Sequence, residues 1–80
     1  MTLADRLRAV RTARKLSQTD LAEKSRVSLR NISLIEHGHR TDVKLSTAER
    51  LAAELQCSAE WLLFGTGEVP SGVPAGGEAA

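Results

Sequence analysis

The chain has 80 residues and a single cysteine, Cys57, which fits one small domain, rules out an intrachain disulfide and suits a reducing cytoplasm. Hydrophobic residues make up 41% of the chain, but no apolar run approaches the roughly 20 residues of a membrane helix, and the first residues lack the pattern of a secretory signal. The net charge of +1 is unevenly distributed. Residues 1–50 hold all 11 Lys and Arg and six acids, for a charge of +5, and residues 51–80 hold four acids, for a charge of −4. The basic first part suits a polyanionic partner.

Five helices are predicted in chain order, each opened by a residue that can cap it. The first covers residues 3–15, with Thr2 as its N-cap and Leu3, Leu7 and Val10 at helical spacing. A serine opens each of the others, because an N-cap serine accepts a hydrogen bond from a free backbone N–H, whereas inside a helix it competes with the backbone. These helices are predicted over 17–25, from Ser28 to Gly38, from Ser46 with Glu49 completing a capping box, and from Ser58 to Gly65.

The composition changes after the fifth predicted helix. Residues 65–80 contain five of the six glycines and both prolines, Pro70 and Pro74. Such a segment buries little apolar area, which predicts disorder. The sequence therefore predicts an all-α fold, with a compact five-helix domain over residues 1–66 and a flexible tail or linker over residues 67–80.

The most informative stretch is residues 18–38, where a predicted helix of about eight residues is followed by a short break and a helix of about ten. Ile32 and Ile35 are predicted to face the core above Leu21 and Ala22. The opposite face of the second helix would then be exposed, in a shape that fits a DNA major groove about 12 Å wide. That face carries Ser28, Leu29, Arg30, Asn31, Ser33, Leu34 and His37.

Three segments resemble the helix-turn-helix domain of the phage-repressor and Cro type, also called the Xre-like family. They are LSQTDLAEKS (16–25), VSLRNISLIEHG (27–38) and LAAELQCSAEWLLFGTGE (51–68), with Arg11 upstream. The resemblance covers residues 3–67, and it implies that the second helix of the motif enters the major groove. It also implies a homodimer on a palindromic operator, since such proteins often bind DNA in this way.

The resemblance assigns roles to individual residues. Gln18 would bind a phosphate, and Leu29, Arg30 and Leu34 would face base edges, with Arg30 suited to guanine O6 and N7. Asn31 and Ser33 are further candidates, and the loop residues His39, Arg40 and Lys44 would contact the DNA backbone. Arg11 and Glu36 would form an internal ion pair. The predicted DNA-binding residues are Gln18, Ser28, Leu29, Arg30, Asn31, Ser33, Leu34, His37, His39, Arg40 and Lys44.

One position departs from the family pattern. Between the motif helices the family usually has a glycine, because the backbone there tends to adopt a positive φ, but this chain has Arg26. An arginine in that conformation costs on the order of 1 kcal/mol. Either the turn differs slightly from the family's, or the strain is tolerated.

Other interpretations remain open at the level of sequence. The same fold can serve as a protein-interaction module, antitoxin-like or an anti-repressor partner, which the modest net charge and the two leucines Leu29 and Leu34 support. Those leucines can also lie in the core if the predicted rotation of the helix is wrong. Arg30 can be a solvated surface charge, and the uneven charge of the two parts of the chain can be chance. Trp61 is expected in the core or at a dimer contact.

No catalytic or ligand-binding chemistry is expected. His37 and His39 lack nearby carboxylate or thiol ligands for zinc, and no nucleophile with its base and no glycine-rich phosphate loop is present in the sequence. The sequence thus predicts a cytoplasmic, sequence-specific double-stranded DNA-binding regulator or repressor with no enzyme activity, no cofactor, no metal, no small-molecule substrate and no membrane partner. The region 61–69 is the candidate dimer interface.

Overall fold

The computed structural model describes residues 1–73, and within them the chain forms five helices and no strand. The predicted all-α, five-helix fold is therefore confirmed. None of these helices is both long enough and apolar enough to cross a membrane. The helices are α1 (Leu3–Ala13), α2 (Gln18–Ser25), α3 (Leu29–Glu36), α4 (Leu45–Leu55) and α5 (Ala59–Phe64).

Predicted caps open four of the five helices. The side chains of Thr2, Ser17, Ser28 and Ser58 each accept a backbone N–H from the first turn of their helix. At the first two of these positions an acidic residue three places on completes a capping box. Each cap satisfies a donor that the helix itself leaves without a partner, so the polar residues in the sequence set where these helices begin.

The prediction that Ser46 caps α4 is wrong. The helix begins at Leu45, and its N-cap Lys44 makes no side-chain hydrogen bond to the first turn. The carbonyl of Lys44 already accepts the N–H of Ala48 at 3.0 Å, which places Ser46 inside the helix. Ala48 and Leu51 are buried, so packing against the core fixes the start of this helix where a local cap does not.

The core is built from one apolar stripe on each helix. Helix α1 packs on α3 and α5, α2 packs on α3 and α4, and α4 packs on α5. Burying one leucine or isoleucine side chain stabilises the fold by about 1.5–3 kcal/mol. The residues with the most completely buried side chains are Leu7, Val10, Leu21, Ile32, Ile35, Leu51, Leu55 and Leu62. Trp61 is 3% exposed and belongs to this core.

Arg6 on α1 binds the end of α5, which the sequence analysis did not foresee. Its guanidinium is buried, and its Nε and Nη2 donate to the carbonyls of Leu62 at 2.9 Å and Leu63 at 2.8 Å. Its Nη1 donates to the carbonyl of Met1 at 2.6 Å. The cation thus meets the negative end of the helix dipole and satisfies carbonyls that have no partner within α5.

Arg14, the C-cap residue of α1, plays the same part for α4. Its Nε donates to the carbonyl of Leu55 at 2.7 Å, and its Nη2 donates to the carbonyl of Gln56 at 3.3 Å. The third donor, Nη1, reaches the carbonyl of Ser71 at 2.7 Å. One arginine therefore joins α1 to the end of α4 and to the segment after α5.

That segment, residues 67–73, extends the packed chain beyond the domain boundary predicted at residue 66. Pro70 and Val73 are buried, and Val73 belongs to the hydrophobic core cluster. The N–H of Val73 donates to the carbonyl of Pro70 at 3.3 Å, forming a turn that Arg14 holds against the helices. The rest of the predicted tail, residues 74–80, lies outside the described residues.

Candidate nucleic-acid interface

The turn between α2 and α3 resolves the question raised by Arg26. This residue is left-handed, with φ 63° and ψ 26°, and its N–H donates to the carbonyl of Ala22 at 2.9 Å. The turn therefore keeps the positive φ that the resemblance implies, and the chain tolerates an arginine where glycine would be free of strain. The cost is on the order of 1 kcal/mol.

Ser25 braces the same turn. Its side chain is buried, and its hydroxyl donates to the carbonyl of Leu21 at 2.6 Å while accepting the N–H of Val27 at 3.2 Å. One hydroxyl thus closes the end of α2 and fixes the first residue after the turn. This role was not predicted from the sequence, although a serine beside a predicted turn is a residue type suited to local backbone hydrogen bonds.

Helix α3 is oriented as predicted. Ile32 and Ile35 are 0% and 1% exposed, and Arg30 lies on the solvent side. Leu29 is 45% exposed, so it is not a core residue, whereas Leu34 is half-buried. The buried isoleucines fix the rotation of the helix about its axis, which leaves the Arg30 edge exposed to solvent.

The predicted DNA-binding residues divide into two groups by exposure. Seven are exposed, and four are partly buried because they also contact protein groups or lie at the edge of α3. The exposed residues are Ser28, Leu29, Arg30, His37, His39, Arg40 and Lys44, and the partly buried ones are Gln18, Asn31, Ser33 and Leu34.

The ion pair implied by the resemblance is present. Nε and Nη2 of Arg11 donate to the two carboxylate oxygens of Glu36 at 2.6 and 3.0 Å, and the Glu36 side chain is 1% exposed. Arg8 approaches the same carboxylate at 3.8 Å and donates to the backbone carbonyl of Glu36 at 2.9 Å. The pair therefore ties the last turn of α3 to α1.

The environment of Glu36 keeps its side chain ionised. Burial by itself raises the pKa of this carboxyl, but hydrogen bonds from Arg11 and Gln18, with the charges of Arg11 and Arg8, outweigh it and hold the pKa below its usual value. A buried carboxylate with this set of donors is a structural anion. It is not arranged as a general acid, because it keeps its charge and faces protein groups.

Gln18 contributes to this cluster from the first turn of α2. Its Nε2 donates to Oε1 of Glu36 at 3.0 Å, so the amide links α2 to the end of α3. An amide nitrogen carries two hydrogens, and this contact uses one of them. This contact fixes the orientation of Gln18, and it does not use the second N–H of the amide.

The two histidines after α3 stack on each other, with ring centroids 6.3 Å apart. Nδ1 of His37 lies 2.7 Å from the carbonyl oxygen of Ser33, which can only accept, so the contact is a hydrogen bond when the ring carries a proton on Nδ1. Within residues 1–73 no three His, Cys, Asp or Glu side chains gather as a metal site would require. The pair extends the polar surface at the end of α3.

The fold and the buried support of α3 define a helix-turn-helix domain. The profile of the helix-turn-helix family matches residues 7–62, which span both motif helices and the core around them. The chain therefore belongs to the phage-repressor and Cro-type helix-turn-helix family.

Two relatives from Bacillus subtilis (strain 168) resemble the chain in sequence. The HTH-type transcriptional repressor RghR is 38% identical over 68 residues, covering 85% of this chain and 50% of the relative. The HTH-type transcriptional regulator RghRB, described as uncharacterized, is 41% identical over 63 residues, covering 79% and 45%. The chain thus spans about half the length of these relatives.

A solved structure of a complex between the SinR and SinI proteins is similar in fold. It superposes with a TM-score of 0.75 at 28% sequence identity, covering 79% of this chain and 61% of the matched chain. The two structures therefore share the arrangement of their helices.

Proposed function

We propose that the chain binds double-stranded DNA in a sequence-specific manner as the DNA-binding part of a transcriptional regulator, with α3 in the major groove. The observation that carries the proposal is the orientation of α3, whose isoleucines are buried while Arg30 is exposed at the opposite edge. A regulator works where its DNA is, so the proposal includes the cytoplasmic location expected from the sequence.

The proposed contacts to DNA are of two kinds, those to phosphates and those to bases. Gln18, Arg40 and Lys44 would bind phosphates, and these contacts set the position of the domain on the duplex without selecting a sequence. Residues 28–34 would select the sequence. A guanidinium can donate two hydrogen bonds to guanine, and Leu29, which is 45% exposed, offers apolar contact to a thymine methyl group.

The proposal extends to a homodimer that represses transcription from a palindromic operator by covering it. Similarity to the repressor RghR supports the direction of regulation. Trp61 is buried within its own domain, so within the candidate interface 61–69 the surface available to a second copy centres on Phe64, which is 70% exposed. Two copies would place their α3 helices one helical turn of DNA apart, about 34–36 Å.

Selection of bound sites from random duplex DNA tests the proposal. We expect an enriched palindromic motif, and affinity for it should fall steeply as salt rises, because phosphate contacts release counterions. Arg30→Ala should blur one base pair of each half-site, whereas Arg50→Ala, which removes an exposed arginine from α4, should leave the motif intact. A library that emerges without enrichment would refute the proposal.

The second candidate function is that of a protein-interaction module. It is favoured by the similar fold of SinR, which was solved in a complex with SinI, and by the exposed Leu29 on the α3 surface. Leucine-mediated binding to a protein would change little with salt, whereas binding to DNA would weaken strongly. Salt-dependent retention on random duplex DNA therefore separates the two functions.

A further inference from the structure

A single hydrogen bond joins the loop after α3 to the first turn of that helix. Nη1 of Arg40 donates to Oδ1 of Asn31 at 3.0 Å. A guanidinium has donors only, so the amide of Asn31 must turn its oxygen toward Arg40, and its nitrogen must point elsewhere. The orientation of this amide is therefore fixed by chemistry, and exchanging its oxygen and nitrogen would set donor against donor.

The backbone around Asn31 is fixed as well. Its N–H donates to the side chain of the N-cap Ser28 at 3.1 Å, and the next residue, Ile32, is fully buried. The amide borders a polar notch of about 460 Å³ that is open to solvent and also lined by Arg40, Asp42, Val43, Lys44 and Thr47. Within residues 1–73 no carboxylate lies within ion-pair distance of Arg40, and the side chain that it contacts there is the amide of Asn31.

This orientation matters for the base edge that Asn31 can recognise. An asparagine that binds adenine in a bidentate manner uses its oxygen to accept from N6 and its nitrogen to donate to N7. Here the contact with Arg40 uses one of the two lone pairs of the oxygen and turns the oxygen toward the loop, so binding adenine in this manner would have to share or break that hydrogen bond, whereas the contact uses neither hydrogen of the nitrogen. An amide held as a donor suits an edge with acceptors alone, such as O6 and N7 of guanine or O4 of thymine.

We infer that Arg40 is a positioning residue for base recognition: it holds the amide of Asn31 as a hydrogen-bond donor and so disfavours adenine at the base pair that Asn31 meets. The inference rests on the proposed DNA-binding function and deepens it. The loop arginine then has two effects on binding. One is a sequence-independent attraction to phosphate, and the other is a base preference exerted through Asn31.

The experiment measures a ratio of affinities rather than a single affinity. Asn31→Ala first identifies the base pair whose preference it removes. The ratio of affinities for the preferred base and for adenine at that pair is then measured by competition for the parent chain, Arg40→Ala, Asn31→Ala and the double variant. A phosphate contact weakens binding to all sequences alike, so it cancels in this ratio.

We expect Arg40→Ala to lower the ratio about 2- to 12-fold, the range for one net hydrogen bond. The ratio should be the same for the double variant and for Asn31→Ala, because Arg40 acts through that amide. The matched control is Lys44→Ala, which removes a cation from the same notch without touching Asn31, and it should weaken binding while leaving the ratio unchanged.

Three results would overturn the inference. In the first, Arg40→Ala leaves the affinity ratio unchanged. In the second, the effects of the two single variants on the ratio multiply in the double variant. In the third, Asn31→Ala loses no base preference. In each case the parent chain would still select a sequence, so the proposed function would stand. A parent chain that selects none would refute the function and this inference together. Arg40 is exposed, so its variant should melt at the parent temperature.

Discussion

Removing Arg11 should expose how much the domain depends on one buried ion pair. In Arg11→Ala the carboxylate of Glu36, 1% exposed, would keep its hydrogen bond from Gln18 and the more distant charge of Arg8 but lose two short contacts. The carbonyl of Leu16, which accepts from Arg11 at 2.8 Å, would also lose a donor. Breaking a buried pair costs about 3–5 kcal/mol, and the remaining donors favour the lower end, about 3 kcal/mol.

The loss should be visible as a change in melting temperature. For a domain of this size each kcal/mol lowers the midpoint by about 4–8 °C, so about 3 kcal/mol predicts a fall of about 12–24 °C at pH 7, measured by circular dichroism. The control is the Glu36→Gln background, in which Arg11→Ala should cost only about 1 kcal/mol, because no buried charge is left unpaired. An unchanged midpoint at pH 7 would refute the reasoning.

Lowering the pH should reduce the difference in unfolding free energy between the parent and Arg11→Ala. In the parent the pKa of Glu36 is lower in the folded than in the unfolded state, so this group stabilises the fold above the unfolded pKa, about 4.3, and the contribution is lost as pH falls through the folded pKa. Without Arg11, burial should dominate and raise the pKa of Glu36 in the folded state. Protonation of this carboxyl would then remove a buried charge and stabilise the folded variant. A constant difference in unfolding free energy from pH 7 to about pH 3 would contradict this account.

Three further predictions test other features. Arg30→Ala should cost about 1–3 kcal/mol of binding and relax one base pair, and an unchanged sequence preference in site selection would count against its role. Arg26→Gly should raise the free energy of unfolding by on the order of 0.5–1 kcal/mol, because it removes left-handed strain at φ 63°, whereas Arg26→Ala keeps the strain and should gain nothing in urea titrations. Gly65→Ala should lower the melting temperature more than Gly38→Ala, because both have positive φ but only the first would bring a Cβ to 2.9 Å from Nη1 of Arg6; equal losses would refute that contact.

Local chemistry explains which parts of the fold were predictable. A cap such as Ser17 acts within one turn of its own helix, so the sequence next to it contains the whole interaction. Ser46 fitted the same pattern with Glu49, but the start of α4 depends on the burial of Ala48 and Leu51 against other helices. Periodicity placed Ile32 and Ile35 inward correctly, because a stripe of apolar residues reports the rotation of a helix directly.

Contacts to backbone carbonyls escaped prediction for a physical reason. Every residue carries a carbonyl, so no residue type in the sequence marks the acceptors that Arg6 and Arg14 find 41 to 57 residues away. The packing of Val73 has the same origin, since the glycines and prolines around it indicate disorder locally while distant helices supply its pocket. The Arg11–Glu36 pair was predictable only through the family resemblance.

The arginines at positions 6 and 14 have a consequence for how the domain opens. Their hydrogen bonds connect α1 to carbonyls between residues 55 and 71, so neither of these two segments can detach without breaking contacts made by the other. Termini of small domains ordinarily fray and exchange their amide protons through small local fluctuations. In this domain the amide protons of α5 and of Val73 should exchange through larger openings that also break contacts of α1, which makes them reporters of the stability of the packed domain.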